Sequence, residues 1–193
     1  MRHTISNGLI TRRGFLARSG VAAISLALGS RFGLAATAGP KWTAANELAV
    51  TFTTAPSGSG RIQRPYVAVW IENAGGTPVR TLSLWTLNTP RGNRYLDELR
   101  RWYGAVGSDP ALTPTSTGPT PNPGTYTVVW DGKNDKGALV EQGDYYVCVE
   151  SARQNGPYSL VREKVTLGSA LFKQKLGANA ELKDVAVEFR KHA

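Results

Sequence analysis

Tyr66-Val67-Ala68-Val69-Trp70-Ile71-Glu72, followed by Asn73-Ala74-Gly75-Gly76 and then by the run from Val79 to Thr86, is the stretch that decides the fold. Six successive aromatic, β-branched and small apolar residues leave no polar face before Glu72. That is the pattern of a strand covered on both sides, not of a half-solvated one. Asn and Gly in the next four positions supply the left-handed backbone that a tight turn needs, so the two runs read as a hairpin.

On its N-terminal side, Glu47 to Thr53 alternates Leu48, Val50 and Phe52 against Ala49, Thr51 and Thr53, until Pro56 to Gly60 breaks the pattern. On its C-terminal side, further strands are expected at Thr125–Trp130, Asp144–Ala152, Tyr158–Leu167 and Leu182–Phe189. The last sets Val185, Val187 and Phe189 against Asp184, Ala186, Glu188 and Arg190. Between the two groups, Tyr95, Leu96, Leu99, Trp102 and Tyr103 recur at helical spacing, which predicts one short amphipathic helix near residues 93 to 103. A long loop rich in Pro and Thr, residues 104–124, follows it. Seven short strands and one helix predict an all-β protein, an antiparallel sandwich of immunoglobulin or fibronectin type with Trp70, Val128 and Val147 in its core. Trp70, Trp85 and Trp130 each lie inside an apolar strand, so they read as core residues and not as a platform for sugar rings.

The 193 residues carry a net charge of +9, and five of the 23 basic side chains fall in the first 38 residues, which contain no acid. The remainder is left with a modest +4 and 14 scattered carboxylates, which argues against a nucleic-acid binder. Arg12-Arg13-Gly14-Phe15-Leu16 followed by a mild apolar stretch, Val21 to Leu28, resembles a twin-arginine export signal. That stretch is too short and interrupted to span a bilayer. Ala36-Thr37-Ala38 offers the small residues of a signal-peptidase site, so cleavage is expected after Ala38. The expected organisation is a signal peptide over 1–38, a linker over 39–46 and one domain over 47–193, exported by the twin-arginine translocase to the periplasm. No transmembrane segment is expected in the mature chain.

The chemistry available is narrow. His3 sits in the leader and His192 beside the last residue, so no Ser/His/Asp or Cys/His relay can be assembled inside the domain. With Cys148 the sole cysteine, alternating with Val147 and Val149, a buried inert thiol is expected, and soft-ligand metal sites lack donors. No spacing selects a carboxylate pair for hydrolysis. The expectation is a protein that is not an enzyme, with no catalytic residue and no metal.

Trp130-Asp131-Gly132-Lys133-Asn134-Asp135-Lys136-Gly137, with Val140, Gly143, Tyr145 and Val147 after it, reads as strand, elaborate turn and returning strand. Asp131 and Asn134 can accept from backbone amides as Asx turns, and Val140 can plug the turn into the core. A calcium loop would place oxygen ligands where Lys133 and Lys136 stand, so a hairpin turn is the expected reading. The stretch resembles the turn of the immunoglobulin-like domain in the flagellar hook-cap protein, where it is structural.

The leader, the Tyr66–Glu72 strand, Val79-Arg80-Thr81-Leu82 with Trp85, Arg94-Tyr95-Leu96 running into Leu99-Arg100-Arg101-Trp102, and Pro123-Gly124-Thr125-Tyr126 running into Trp130-Asp131-Gly132 together resemble the periplasmic family called domain of unknown function 2271. The resemblance spans roughly residues 45 to 190. It implies association with periplasmic flavin-transfer and membrane-embedded reductase systems, and no catalytic mechanism. The expected function is that of a non-enzymatic binding or accessory module serving a periplasmic or inner-membrane partner. Arg91, Arg94, Arg100, Arg101, Trp102 and Tyr103 form its candidate contact surface, since arginine and aromatic side chains anchor interfaces. The competing reading is that the aromatics dock the helix while the arginines are solvated. The alternative function is a covalent FMN carrier. The acceptor sequence for periplasmic flavin transfer is similar to Thr117-Gly118-Pro119-Thr120, with Thr120 as acceptor, but the match departs at Pro119 and at Pro114, where an acid is expected.

Overall fold

The computed structural model describes residues 39–54, 64–86, 92–106, 117–154, 156–179 and 181–192. The expected leader, with Arg12, Arg13 and Ala38, lies outside the described residues. The compact unit that carries the fold begins at Gly39.

Among the described residues nine strands form two sheets. In the first, the order is β5 (Gly124–Trp130), β1 (Asn46–Thr54), β9 (Leu182–Lys191), β8 (Phe172–Lys175); in the second it is β4 (Thr117–Pro119), β3 (Pro78–Thr86), β2 (Tyr66–Asn73), β6 (Gly143–Ala152), β7 (Tyr158–Leu167). Neighbours are antiparallel except β4, which runs parallel to β3. The seven strands legible in the sequence are all present. The two additional ones, β4 and β8, are three and four residues long, too short to show a period.

Alternation assigns the faces. Leu48, Val50 and Phe52 of β1 and Val185, Val187 and Phe189 of β9 meet Val67, Val69 and Ile71 of β2 and Val147 and Val149 of β6 in the layer between the sheets. The opposite face of the larger sheet is also covered: Ala68, Trp70, Leu84 and Cys148 pack under Leu99, Trp102 and Val106. That second layer is why β2 reads as a continuous apolar run. Burial pushes the Cys148 thiol far above its ordinary value, so it stays protonated and inert.

Three expectations need correction. The single helix is two pieces, a 3₁₀ segment Gly92–Glu98 that kinks at Tyr95 and an α-helix α1, Arg100–Val106, that runs three residues past the expected end. Val128 is half-buried against the core, because β5 is an edge strand and only β1 lies beside it. Residues 39–46 are not a linker. Trp42 is buried against Trp130 and Phe189, with ring centroids 4.9 and 5.0 Å away, and its amide donates to Val140 O at 2.8 Å.

Trp42 also explains the turn motif. Gly132 has φ +74°, and a Cβ there would fall 2.3 Å from Trp42 Cδ2, so the indole lies directly on the backbone of the turn. Asp131 Oδ1 accepts from Lys133 N at 3.1 Å, while Asn134 Oδ1 accepts from Lys136 N and Ala138 N, both at 3.0 Å, forming the two expected Asx turns. Val140 packs half-buried against the core. The turn reaches across to the other sheet, where Asp135 N donates to Val79 O at 3.1 Å.

Candidate functional site

The outer face of the larger sheet concentrates the charged chemistry of the domain. Register places Glu72 opposite Tyr146 and Glu150 opposite Ala68, so both carboxylates point away from the inter-sheet core and under the helix. Both are fully buried. Sequence spacing could not have paired them, since 77 intervening residues and the strand register bring them to one face.

Glu72 is saturated. Its Oε1 accepts from Trp70 Nε1 at 3.1 Å and Arg101 Nε at 3.0 Å, and its Oε2 from Arg101 Nη2 and Arg162 Nε, both at 2.8 Å. Burial pushes the carboxyl up, but the arginine and indole hydrogen bonds outweigh it and hold it below the ordinary carboxylate range. Arg162 in turn lies over the Tyr146 ring, 3.5 Å from its centroid.

Glu150 does different work. Its two oxygens accept from Arg101 N at 2.9 Å and Trp102 N at 2.8 Å, the first-turn amides of α1 that have no partner within the helix. The carboxylate is thus a cap supplied from the sheet. Burial raises it above the ordinary carboxyl range against the pull of these two amides and of the Tyr158 hydroxyl. Trp102 Nε1 completes the attachment by donating to Thr81 Oγ1 at 3.1 Å. Every oxygen of the pair accepts from a donor of the chain itself, so the arrangement clamps a helix to a sheet.

The sequence-predicted contact residues therefore divide. Arg101 and Trp102 belong to the clamp: Trp102 is buried, and Arg101 faces Glu72. That correction follows from the helical phase, which turns both toward the sheet. Arg100 and Tyr103 face outward, with the Arg100 guanidinium 4.9 Å from the Tyr158 ring centroid and Tyr103 36% exposed. Arg91 and the side chain of Arg94 lie outside the described residues. Beside Arg100 an open depression of about 590 Å³ is bordered by Gly76, Arg101, Gly104, Ala105 and Tyr158. Small residues there let a chain approach the backbone, and the arginines give it a positive rim. Tyr158, on a strand remote in sequence from the helix, is the contributor that spacing could not reveal.

Thr120 lies at the other end of the larger sheet. It is 4% exposed, and its hydroxyl donates to Pro65 O at 2.7 Å. Its carbonyl accepts from Arg64 Nη1 at 3.2 Å, fixing the corner between β4 and β5. A transferase would have to open that corner to reach the oxygen. The described histidine, His192, pairs with Glu47 at 2.7 Å. Among the described residues no group of three His, Cys, Asp or Glu is placed to hold a metal ion, and no helix is long and apolar enough to cross a membrane.

No curated protein matches the chain. Among solved structures it is similar to truncated FlgD from Helicobacter pylori at 17% identity, over 81% of this chain and 89% of that one, with a TM-score of 0.33. The model of a family described as "Predicted periplasmic protein (DUF2271)" matches residues 47–184, a span that runs from the first residues of β1 into β9 and contains the helix and both clamp carboxylates. With that match covering well over half of the sequence, the chain belongs to the DUF2271 family of predicted periplasmic proteins.

Proposed function

We propose that the protein is a non-enzymatic periplasmic accessory module that works by contact, through the outward face of α1. One observation carries the reading: a buried, fully bonded carboxylate pair holds α1 on the sheet, so that Arg100 and Tyr158 border a basic depression and Tyr103 stands exposed on the same helix. Rigid arginine and aromatic side chains lose little freedom on binding, which favours their use as anchors. The chemistry of the rim suits a partner segment that carries carboxylates and small side chains. In its finer form the reading makes that partner a component of a membrane-bound redox or flavin-linked system, the association that the family resemblance implies.

The test uses Arg100→Glu, which reverses the charge at position 100 and leaves the hydrogen bonds of Glu72 and Glu150 in place. The variant should keep the wild-type melting temperature and lose capture of its membrane partner in the native periplasm. Retained capture would defeat the contact reading. Intact mass and visible absorbance of the native protein address flavin separately: a mass equal to that of the processed chain with no absorbance near 450 nm excludes a flavin carried on the protein itself.

A further inference from the structure

The edge of a β-sheet offers unpaired backbone donors and acceptors, and proteins that remain apart blunt their edges with charge, proline or brevity. Among the described residues the two sheets have four edge strands, β4, β7, β5 and β8. β4 has three residues and ends in Pro119; β8 has four and carries Lys173 and Lys175. β7 is long, but it carries Arg162, Glu163 and Lys164 in succession. The start of β3, beyond the reach of β4, is covered by the turn through the Asp135 to Val79 hydrogen bond.

β5 has none of these devices. Gly124-Thr125-Tyr126-Thr127-Val128-Val129-Trp130 contains no charge and no proline, and it pairs with β1 over seven consecutive positions without a bulge. Among the described residues nothing pairs with its other side. On the outer face Val129 is 43% exposed, and Thr125 and Thr127 are tied to Thr53 and Thr51 by hydroxyl hydrogen bonds of 2.9 and 2.8 Å, so this face of β5 is uncharged. On the inner face Tyr126 and Val128 are only half-buried at the rim of the core.

We propose that β5 pairs antiparallel with β5 of a second copy of this chain, joining two four-stranded sheets into one of eight strands about a twofold axis. A second copy fits because the strand is self-complementary. It meets itself without a like-charge pair, and an antiparallel twofold centred on Thr127 sets Thr127 against its equivalent and Thr125 against Val129 on one face. The seam covers Val129 and the open rims of Tyr126 and Val128. Seven residues give it a length of only about 24 Å, which places the dimer with small, reversible interfaces.

Sedimentation velocity of the exported protein from about 1 to 200 µM should show a monomer–dimer equilibrium in the micromolar range. Hydrogen exchange at residues 124–130 should slow as the dimer forms. Thr127→Lys and Thr127→Glu, each at an exposed position, should separately weaken association at least about tenfold by opposing like charges across the seam. An equimolar mixture of the two should restore it. A wild-type protein that stays monomeric throughout, or a dimer that neither substitution weakens, overturns the proposal. So does a mixture no better than its components.

Discussion

Glu72 shows how one buried charge can organise a surface. Its carboxylate meets two guanidinium groups and an indole N–H, each within 3.1 Å, and removing its charge leaves Arg101 and Arg162 facing a neutral amide. Glu72→Gln should therefore cost about 2 to 4 kcal/mol in urea unfolding, the lower end reflecting how far the two arginines can swing to water. The pH dependence has a definite sign. A carboxyl held below its ordinary value contributes stability that is present above about pH 4.5 and lost as the pH falls through the folded-state value. The gap between wild type and Glu72→Gln should therefore be widest near neutrality and close in acid. A constant gap from pH 7 to 3 would remove the charge from the account. Glu150, raised by burial, works in the opposite direction: its contribution is present below its ordinary value and lost as the pH rises through the folded one. The continuous apolar run that ends at Glu72 was legible in the sequence. Its partners were not, because they depend on strand register and helix phase.

Within single elements, the sequence was most informative where an element is long and least where a contact crosses between elements. The β2–β3 hairpin formed as read: Asn73 Oδ1 accepts from Gly75 N and Thr77 N at 3.0 and 2.9 Å, and Gly76 adopts φ +81°. Trp42 escaped notice because its neighbours are polar and its pocket is built from β5 and β9. Trp42→Ala should cost about 3 to 5 kcal/mol, as large aromatic truncations in cores do. The turn offers a controlled comparison, since Gly132 and Gly137 have φ of +74° and +77° but only Gly132 touches the indole. Gly137→Ala should cost about 1 to 2 kcal/mol for its backbone alone. Gly132→Ala should cost clearly more, and equal costs would show that the indole yields freely. Edge position sets a similar contrast between valines. Val147→Ala in the central layer should lose about 2 to 3 kcal/mol and Val128→Ala about 1 or less, read by chemical denaturation.

For the whole molecule, the sandwich was legible because each of seven strands shows either an alternating or a continuous apolar run, while the geometry around α1 was not. The residue types on α1 drew attention to the element on which the proposed contact rests. Their placement needed the structure, which buries Trp102, pairs the part-exposed Arg101 with Glu72 and brings Tyr158 alongside Arg100. Export belongs to this scale too. The leader predicts that Arg12→Lys with Arg13→Lys strands a precursor in the cytoplasm, as fractionation and immunoblotting would show; normal export of the double variant would refute that route.

The claim that the protein acts by contact through α1 is tested most directly by site-specific photo-crosslinking in living cells, with the photoreactive residue at position 103 on the helix or at the exposed position 183 on the opposite sheet. The account predicts a discrete cross-linked product from position 103, lost on Arg100→Glu, and none from position 183. Cross-linking from 183 alone, or from 103 regardless of the charge at 100, would contradict it.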